Sequence, residues 1–490
     1  MSKITQKNNT ATKRTRENDE NGEVTQQQLK KYRAEFDKDP HNQIIQNALC
    51  SNNLRCISEV RSYMQSVDTH FSHVLDPQLT VTDQGFTGRC WMFALLNIIR
   101  HDIIRYYNLP FNFELSQSYL SFYEKIEKCN HALHFFMDKD ELNATDYKTQ
   151  QILLNEVNDG GQWITCCNLI KKYGIIPKTC FRESVHSADT HELNELISSK
   201  VKEFAFELVN EKDKSKRPIM KDKMIGEIYS ILVKLLGTPP NINEKISWSY
   251  SVRENITDII KKEKKHKRNV FETVMTKKEL CVTPLDFYKH YLPNKLDDYC
   301  ILTHDPRNEY YKYYQSFKDD IVVGGEQNGY YNLPIEEIAK FTAESIKGNY
   351  PVEIDIDAPR FFHQEEELID ANVFNYNGVF NLKFDNLSKK DNLKCLYSYP
   401  THAAIVVSVD IDEKTNKIRK WKIENSWGAD ILSILRNKTD AGHYIMDHSW
   451  FCKYAYSFVI NKKFLPTQVY KKYFLEKQHP IILPENDVLG

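Results

Sequence analysis

Apolar residues in the first half of the chain recur with the period of an α-helix. The apolar side chains that follow one another at steps of three and four in residues 90–107 are Phe93, Leu96, Ile99, Ile103 and Tyr106. This spacing places them on one face, which predicts an amphipathic helix over the segment. Two further helices are predicted over residues 116–128 and 162–173, the second opened by residues 159–161 (DGG) and closed by Gly174.

The last third of the chain has a different pattern. Residues 185–300 are rich in charge and mostly helical in period, whereas strands are predicted beyond residue 350. Residues 352–356 and 420–424 alternate apolar with polar side chains, and residues 403–411 (AAIVVSVDI) form a β-branched run. Helices followed by strands predict an α+β fold, because a βαβ fold would alternate the two along the chain.

The composition of the chain predicts a flexible N-terminal tail and argues against a nucleic-acid coat protein. The first 40 residues contain almost no large apolar side chain before Leu29, which predicts a flexible tail. The 490 residues include 41% hydrophobic side chains, enough for a sizeable core. Their 66 basic and 67 acidic residues nearly cancel, which argues against a strongly basic nucleic-acid coat. The local basic run 261–268 predicts a solvated face, with nucleic-acid contact as the alternative.

The cysteines and the absence of targeting segments indicate a reducing compartment. No stretch approaches the ~20 apolar residues of a membrane helix, and the first residues lack the apolar core of a secretory signal. The eleven cysteines are scattered and contain no CxxC pair. Free thiols in a cytoplasmic protein are therefore predicted. The sequence also lacks the common nucleotide and metal motifs, so neither a cofactor nor a metal is predicted.

Cys90 is the candidate nucleophile. It is the first residue of the predicted helix 90–107 and follows Gly88 and Arg89. A cysteine there faces unsatisfied backbone N–H groups and the positive end of the helix dipole, which both favour the thiolate. The position therefore predicts a lowered thiol pKa. For a cysteine considered alone, a buried and inert thiol is the alternative.

Three polar residues elsewhere in the sequence are candidates to assist this nucleophile. Gln84 lies on the loop before Cys90, where its amide and a backbone N–H at the helix start would form an oxyanion hole. His402 precedes the strand 403–411, and Asn425 ends the next predicted strand. If the two strands pair, the Asn425 carbonyl can accept from one imidazole nitrogen and leave the other aimed at the thiol.

Four segments resemble motifs of the papain-like cysteine peptidases, in the same chain order. The segments are 84–91 (QGFTGRCW), 159–163 (DGGQW), 401–403 (THA) and 424–428 (ENSWG). They match the nucleophile, Gly-Gly, His and Asn motifs of that family. The resemblance implies a two-lobed fold, with a helical half and an antiparallel β-barrel-like half.

The spacing of these motifs resembles one branch of the family. Papain-like enzymes place the histidine roughly 130–150 residues after the cysteine, whereas His402 follows Cys90 by 312 residues. A large insertion resembles the bleomycin hydrolase branch, which includes bacterial aminopeptidase C. Further segments that resemble this branch are 114–119, 172–184, 283–288 and 480–484.

The resemblance implies four parts of the chain. They are a flexible tail (1–40), a helical lobe with the nucleophile (41–184), a mostly helical insertion (185–345), and a β-rich lobe with a C-terminal arm in the active-site cleft (346–490).

The resemblance also implies a role for each matching residue. Cys90 attacks the scissile carbonyl, His402 shuttles the proton, and Asn425 orients His402. Gln84 and the Cys90 backbone N–H hold the oxyanion. Trp427 either shields the His402–Asn425 hydrogen bond from water or is a core aromatic residue.

Substrate contacts and assembly are implied in the same way. Gly160 and Gly161 match positions that bind substrate backbone in an extended pose. Members of the branch are homohexamers, and their terminal carboxylate, here that of Gly490, meets the free ammonium of the substrate and restricts cleavage to the N-terminal end. This tail is a few residues short and has Val488 where a proline is usual.

The expected function is that of a cytosolic thiol-dependent aminopeptidase that acts on peptides through an acyl-enzyme. The altered tail leaves an endopeptidase as an alternative. A nucleic-acid-binding scaffold on a peptidase fold, motivated by the basic run 261–268, is the alternative from a different class, and weak nucleic-acid binding would also be compatible with an enzyme.

Overall fold

The computed structural model describes residues 24–155, 157–255, 273–317, 320–429, 440–476 and 479–489. These residues form two compact units, one built from residues 24–60 and 374–384 and the other from residues 61–373 and 385–489. The second unit contains all the candidate site residues except Gly490, which lies outside the described residues.

The helices and strands are numbered in chain order. The helices are α1 (Gln26–Phe36), α2 (Pro40–Ser51), α3 (Leu54–Ser58), α4 (Arg61–Ser66), α5 (Cys90–Tyr107), α6 (Gln117–Phe136), α7 (Tyr147–Asn155), α8 (Trp163–Tyr173), α9 (Val185–Ala188), α10 (His191–Asn210), α11 (Arg217–Leu236), α12 (Pro284–Tyr291), α13 (Ile335–Lys347), α14 (Tyr376–Phe380), α15 (Lys389–Lys394), α16 (His448–Tyr454) and α17 (Thr467–Tyr470). The strands are β1 (His73–Val74), β2 (Ile246–Asn255), β3 (Thr273–Val282), β4 (Tyr299–Thr303), β5 (Tyr313–Ser316), β6 (Asn328–Asn332), β7 (Val352–Ile356), β8 (Phe362–His363), β9 (Leu368–Ile369), β10 (His402–Ile411), β11 (Ile418–Glu424), β12 (His443–Asp447), β13 (Ala455–Asn461) and β14 (Ile481–Ile482).

The smaller unit contains α1, α2, α3 and α14. The prediction of a flexible tail up to residue 40 is wrong for residues 26–36, which form α1. A capping box starts this helix: the Thr25 hydroxyl accepts from the Gln28 N–H, and the Gln28 side chain accepts from the Thr25 N–H. The helix has no buried residue, which explains why its apolar pattern gave no signal.

The predicted helix 90–107 is confirmed as α5. It ends at Asn108, whose φ of 53° is left-handed. The predicted single apolar face is wrong, because every residue from Trp91 to Ile104 is buried, whereas Tyr106 is 68% exposed. A helix buried all round is a core helix, and α5 packs against β10.

The other two predicted helices are also confirmed. α6 begins after Ser116, whose hydroxyl accepts from the Tyr119 N–H, and it extends well beyond residue 128. α8 ends at Gly174, which has a φ of +77°. A Cβ at this glycine would lie 2.3 Å from the Pro284 carbonyl. The helix end therefore needs glycine both for its backbone angle and for the close approach of α12.

Apart from the separate hairpin β2–β3, the described strands of the larger unit form one sheet in the order β14-β5-β6-β4-β13-β7-β10-β11-β12-β9-β8, and β1 also pairs with β10. Its centre is antiparallel: β10 lies between β7 and β11, and β13 borders β7. The predicted strands in residues 352–356, 403–411 and 420–424 are confirmed as β7, β10 and β11. Together with the helices they confirm the α+β class.

Residues 185–345 are less helical than predicted. They contain α10 and α11, but also the hairpin β2–β3 and the strands β4, β5 and β6, which join the main sheet. The apolar side chains that alternate with polar ones in β2 are Ile246, Trp248, Tyr250 and Val252. This period of two indicates a strand. The basic run 261–268 lies outside the described residues.

Among the described residues, none of the helices combines the length and the apolar character needed to cross a bilayer.

Candidate active site

A buried arginine holds the loop that leads into α5. Arg89 is 2% exposed, and its guanidinium donates to the Ser187 carbonyl at 2.6 Å, the Thr87 hydroxyl at 3.2 Å and the Glu183 carboxylate at 3.2 Å. Burial acts to raise the pKa of Glu183, but the Arg89 charge and the hydrogen bonds from Ser118, Ser187 and Arg89 together lower it. These contacts fix the start of the helix, which has no side-chain cap of its own.

The Cys90 sulfur lies next to the start of β10. It is half-buried and is hydrogen-bonded by the backbone N–H groups of Ala403 and Trp91. Burial nevertheless raises the thiol pKa to about 11, because these two donors offset only part of the desolvation. The predicted lowering of the thiol pKa by the helix start is therefore wrong for this structure. The Cys90 sulfur therefore contacts β10 at Ala403, the residue that directly follows His402.

His402 and Asn425 are joined as their strands predict. Nε2 of His402 lies 2.8 Å from Oδ1 of Asn425. The same oxygen accepts the Ser426 backbone N–H at 2.8 Å, which identifies it as the carbonyl oxygen of the amide. Nε2 therefore donates to Asn425, and Nδ1 is left as a proton acceptor. The antiparallel pairing of β10 with β11 produces this contact.

Trp427 lies against the imidazole of His402. The two ring centroids are 4.7 Å apart, and Trp427 also packs edge-on against Phe362 at 5.2 Å. Burial lowers the pKa of His402 to about 4, although the Asn425 hydrogen bond acts in the opposite direction. Trp427 is 36% exposed, so it lies at the surface of the site over His402 and is not a core residue.

Gln84 links the loop before α5 to the end of β11. Its backbone N–H donates to the Ser426 carbonyl at 2.7 Å, and its side-chain oxygen accepts from the Ser426 hydroxyl at 2.6 Å. Its side-chain nitrogen donates to the Thr87 carbonyl. One of the two amide hydrogens is thereby used, and the other remains as the candidate oxyanion donor.

Asp159 joins the loop, α6 and α10, and sequence reasoning did not single it out. Its carboxylate accepts from the Gly88 backbone N–H at 3.0 Å, Lys125 at 2.8 Å, Asn194 at 2.8 Å and the Thr190 hydroxyl at 2.5 Å. Burial acts to raise its pKa, but Lys125 and the other donors hold it well below its usual range. Its position before the Gly-Gly pair was visible in the sequence, but its partners were not.

Glu424 is a second buried carboxylate that the sequence did not indicate. Its side chain is fully buried and contacts His101 at 3.0 Å and Arg100 at 3.6 Å, two neighbours on α5. Burial acts to raise its pKa, and His101 followed by Arg100 lowers it. This contact ties the residue before Asn425 to the helix that carries Cys90.

The two candidate substrate-binding glycines have different surroundings. A Cβ on Gly161 would lie 2.6 Å from the ring of Trp91, whereas a Cβ on Gly160 would meet no atom within 4 Å. Trp91 is itself fixed by a 2.7 Å hydrogen bond from its indole N–H to the Asp159 carbonyl. Gly161 is therefore required for packing, and Gly160 borders open space.

We expect Gly161→Ala to lower the free energy of unfolding by about 1–3 kcal/mol, because the new methyl group must displace the Trp91 ring. Gly160→Ala is the matched control and should unfold like the unsubstituted protein. Urea denaturation followed by tryptophan fluorescence measures both. Equal stability of the two variants would contradict the role assigned to Gly161.

The C-terminal arm is attached to the sheet. β14 pairs with β5, and Asp487 accepts from Arg307 at 2.8 Å. Leu489 is 6% exposed and packs with Tyr456 and Leu393. The arm is thus ordered up to the residue before Gly490, which lies outside the described residues, so the predicted position of its carboxylate stays a prediction.

Comparison with known proteins gives relatives along almost the whole chain. The model of the Peptidase C1-like family matches residues 23–490. Bleomycin hydrolase of Rattus norvegicus is 31% identical over 468 residues, which cover 93% of this chain and 96% of that protein. Aminopeptidase C of Listeria innocua is 28% identical over 472 residues and covers 96% of this chain and 98% of that protein.

The solved structures include a similar fold. The crystal structure of PepW from Lactobacillus rhamnosis HN001 matches with a TM-score of 0.82 and 28% identity, over 96% of this chain and 99% of that one. The comparisons confirm the predicted papain-like fold and the predicted class, a cysteine aminopeptidase of the bleomycin hydrolase and aminopeptidase C branch. The chain belongs to the Peptidase C1-like family.

Proposed function

We propose that this protein removes N-terminal residues from peptides in the cytosol, through an acyl-enzyme formed on Cys90. The observation that best supports the proposal is the location of the Cys90 sulfur at the Ala403 N–H. The neighbouring His402 is held by Asn425 with Nδ1 as its proton acceptor. A thiol next to an imidazole oriented by a third group is the arrangement that nucleophilic catalysis requires.

In the first step, the Cys90 sulfur attacks the carbonyl carbon of the scissile bond, and His402 Nδ1 takes the thiol proton. Burial opposes an isolated charge on either residue, but the thiolate and the imidazolium arise together and attract each other in a site of low polarity. The oxyanion receives hydrogen bonds from the free amide hydrogen of Gln84 and from the Cys90 backbone N–H.

In the second step, His402 gives its proton to the leaving amine, the C–N bond breaks, and a thioester remains on Cys90. A water molecule then attacks the thioester carbonyl while His402 Nδ1 accepts one of its protons. Breaking the C–S bond releases the N-terminal amino acid, and the proton returns from His402 to the sulfur. Asn425 keeps the ring in one orientation throughout the cycle.

The substrate backbone is proposed to lie along Gly160, whose missing side chain leaves open space. Lys128 donates to the Gly160 carbonyl at 2.6 Å, which fixes the orientation of this peptide unit. Two apolar side chains at the edges of the site, Phe86 (85% exposed) and Trp427, offer contacts to the residues on either side of the scissile bond.

Assembly and end-specificity are part of the same proposal. We expect a homohexamer in which the Gly490 carboxylate approaches the substrate ammonium. The docking of Leu489 on Tyr456 of β13, the strand next to β7, supports an arm directed toward the site.

The rate at which Cys90 is alkylated should fall in acid, with a midpoint near pH 4. His402 must be neutral to take the thiol proton, and its lowered pKa keeps it neutral down to about that value. The rate of Cys90 alkylation by iodoacetamide, a neutral reagent, should be constant from pH 5 to 7 and fall below pH 4. A midpoint near 6.5, the value of an ordinary imidazole, would contradict the burial of His402.

The proposed function is tested with a pair of peptides that differ only at the N-terminus. The free-amine peptide should lose its first residue, and its N-acetylated counterpart should resist hydrolysis. Activity should disappear in parallel with alkylation of Cys90, measured by peptide mapping. Internal cleavage of the acetylated peptide would favour an endopeptidase, and activity that survives full alkylation of Cys90 would refute the proposal.

A further inference from the structure

Strand β7 carries two acidic side chains on the face toward α5. Glu353 and Asp355 are two residues apart, so they project from the same face of the sheet. After burial, the charges of Asp355 and Glu353 are among the causes that raise the pKa of the Cys90 thiol. Both carboxyl groups therefore lie near the Cys90 sulfur, although the mechanism above uses neither of them.

No cation compensates these two carboxyl groups among the residues that the structure describes. Glu353 is 2% exposed, and its Oε2 is buried with no hydrogen-bond partner in the described part of the chain. Burial, followed by the charge of Asp355, raises the pKa of Glu353 well above its usual range. Burial alone raises the pKa of Asp355 to about 7, with no donor or cation acting against it. Unpaired buried carboxyl groups destabilise a fold unless a cation reaches them.

The surroundings of Asp355 leave room for a ligand. It is paired with Ala403 on β10 and with Ser457 on β13, two small residues. Directly opposite residues on adjacent strands share a face about 5 Å apart, and the N–H of Ala403 is hydrogen-bonded to the Cys90 sulfur. Asp355 and Cys90 are both half-buried. The accessible surface of Asp355 therefore lies close to the point where the scissile carbonyl must sit.

We propose that Glu353 and Asp355 form an anionic subsite that binds an ammonium group of the peptide substrate beside the scissile bond. Asp355 makes the contact, and the more deeply buried Glu353 lies behind it on the same face of β7. The inference rests on the proposed function, because it assumes that peptides are bound with their carbonyl at Cys90. The ammonium is either the α-ammonium of the N-terminal residue, two bonds from the scissile carbon, or the end of a lysine side chain.

Two matched pairs of inhibitors distinguish these sources. Leucinamide and 4-methylpentanamide differ only in the α-ammonium, whereas N-acetyl-lysinamide and N-acetyl-norleucinamide differ only in the side-chain ammonium. In at least one pair, the cationic member should bind about 10- to 100-fold more tightly, as expected for a hydrogen bond to a charged group. Asp355→Asn, which keeps the shape and removes the charge, should abolish that preference.

Kinetics and stability separate binding from a merely structural role. For a free-amine substrate, Asp355→Asn should raise KM by a similar factor and leave kcat within about twofold of its original value. Above pH 7, where the Asp355 carboxyl group is charged, the apparent unfolding temperature of Asp355→Asn should exceed that of the unsubstituted protein, because the variant lacks a charge that burial disfavours. Glu344→Gln, which removes an exposed charge on α13, controls for the change in net charge and should alter neither quantity.

The outcomes are separable from those that test the proposed function. The subsite is refuted if peptides are hydrolysed normally but neither cation is preferred, or if the preference persists in Asp355→Asn. An equal fall in kcat toward all substrates, together with a lower unfolding temperature, would also refute it by indicating a structural role. The proposed function itself fails on different results: no hydrolysis of any peptide by protein whose Cys90 is intact and reactive, or activity that survives full alkylation of Cys90.

Discussion

Substitution of Cys90 by alanine is expected to lower kcat/KM for a free-amine peptide by about 10⁴- to 10⁶-fold without unfolding the protein. The variant lacks the sulfur that forms the thioester, and His402 then has no thiol proton to take. The removed side chain is small and half-buried, so the core should tolerate the change. A discontinuous assay with an aminoacyl fluorogenic amide measures the loss over several days.

The matched control for this variant is Cys180→Ala. Cys180 is also half-buried and free, but it lies in the turn 178–180, which packs beside β2, so its removal should leave kcat/KM within about twofold. Combining Cys90→Ala with His402→Ala should add little further loss, because the two residues act as a unit. Strictly additive losses would show that they act separately.

The second large effect is expected on stability. Asp159→Ala should lower the free energy of unfolding by about 3 kcal/mol, because the buried Lys125 would lose its carboxylate partner at 2.8 Å and keep only Glu124 at 3.7 Å and the Val157 carbonyl. The Gly88 N–H would also lose its acceptor, so the loop before Cys90 should loosen and activity should fall in the remaining folded protein. Urea denaturation monitored by circular dichroism measures the stability, and Asp159→Asn should recover part of the hydrogen bonding but not the charge.

An exposed aspartate provides the comparison for Asp159. Asp140 pairs with Lys214 at 2.7 Å, but both side chains are in contact with solvent. Its replacement by alanine should leave the unfolding curve unchanged, as is usual for exposed ion pairs. If Asp159→Ala were as stable as Asp140→Ala, the loop before α5 would not depend on the Asp159 network.

The positions of the main elements could be predicted because their apolar periods are local. The helical period of α5 was visible in residues 90–107. The burial of α5 on every side was not visible there, because it depends on the sheet and the helices that surround this helix. The hairpin β2–β3 and the helix α1 were missed. In each case the deciding signal was short: an alternation of four apolar residues in β2, and a capping box at Thr25 in α1.

The candidate site could be predicted because its residues occur in short segments with a recognisable order. The structure joins His402 to Asn425, Gln84 to Ser426, and the Cys90 sulfur to the Ala403 N–H. The catalytic roles of these residues stay predictions. The pKa of Cys90 could not be predicted, because desolvation depends on atoms far along the chain.

The anionic pair of β7 was hidden for a related reason. Its alternation of apolar and acidic residues is typical of a strand with one solvated face, whereas the structure buries Glu353 at 2% exposure. Which face of a strand meets solvent is decided by the sheet and the helices packed on it, and the sequence of one strand does not contain that information.

The most direct test of the account is detection of the covalent intermediate. Wild-type protein should be mixed with an aminoacyl p-nitrophenyl ester, quenched in acid within milliseconds, and examined by intact mass and peptide mapping. We expect a burst of nitrophenol and a thioester on Cys90 that adds the mass of one amino-acid residue. Both should be absent from Cys90→Ala. Full turnover without any adduct on Cys90, or an equal burst from the alanine variant, would contradict it.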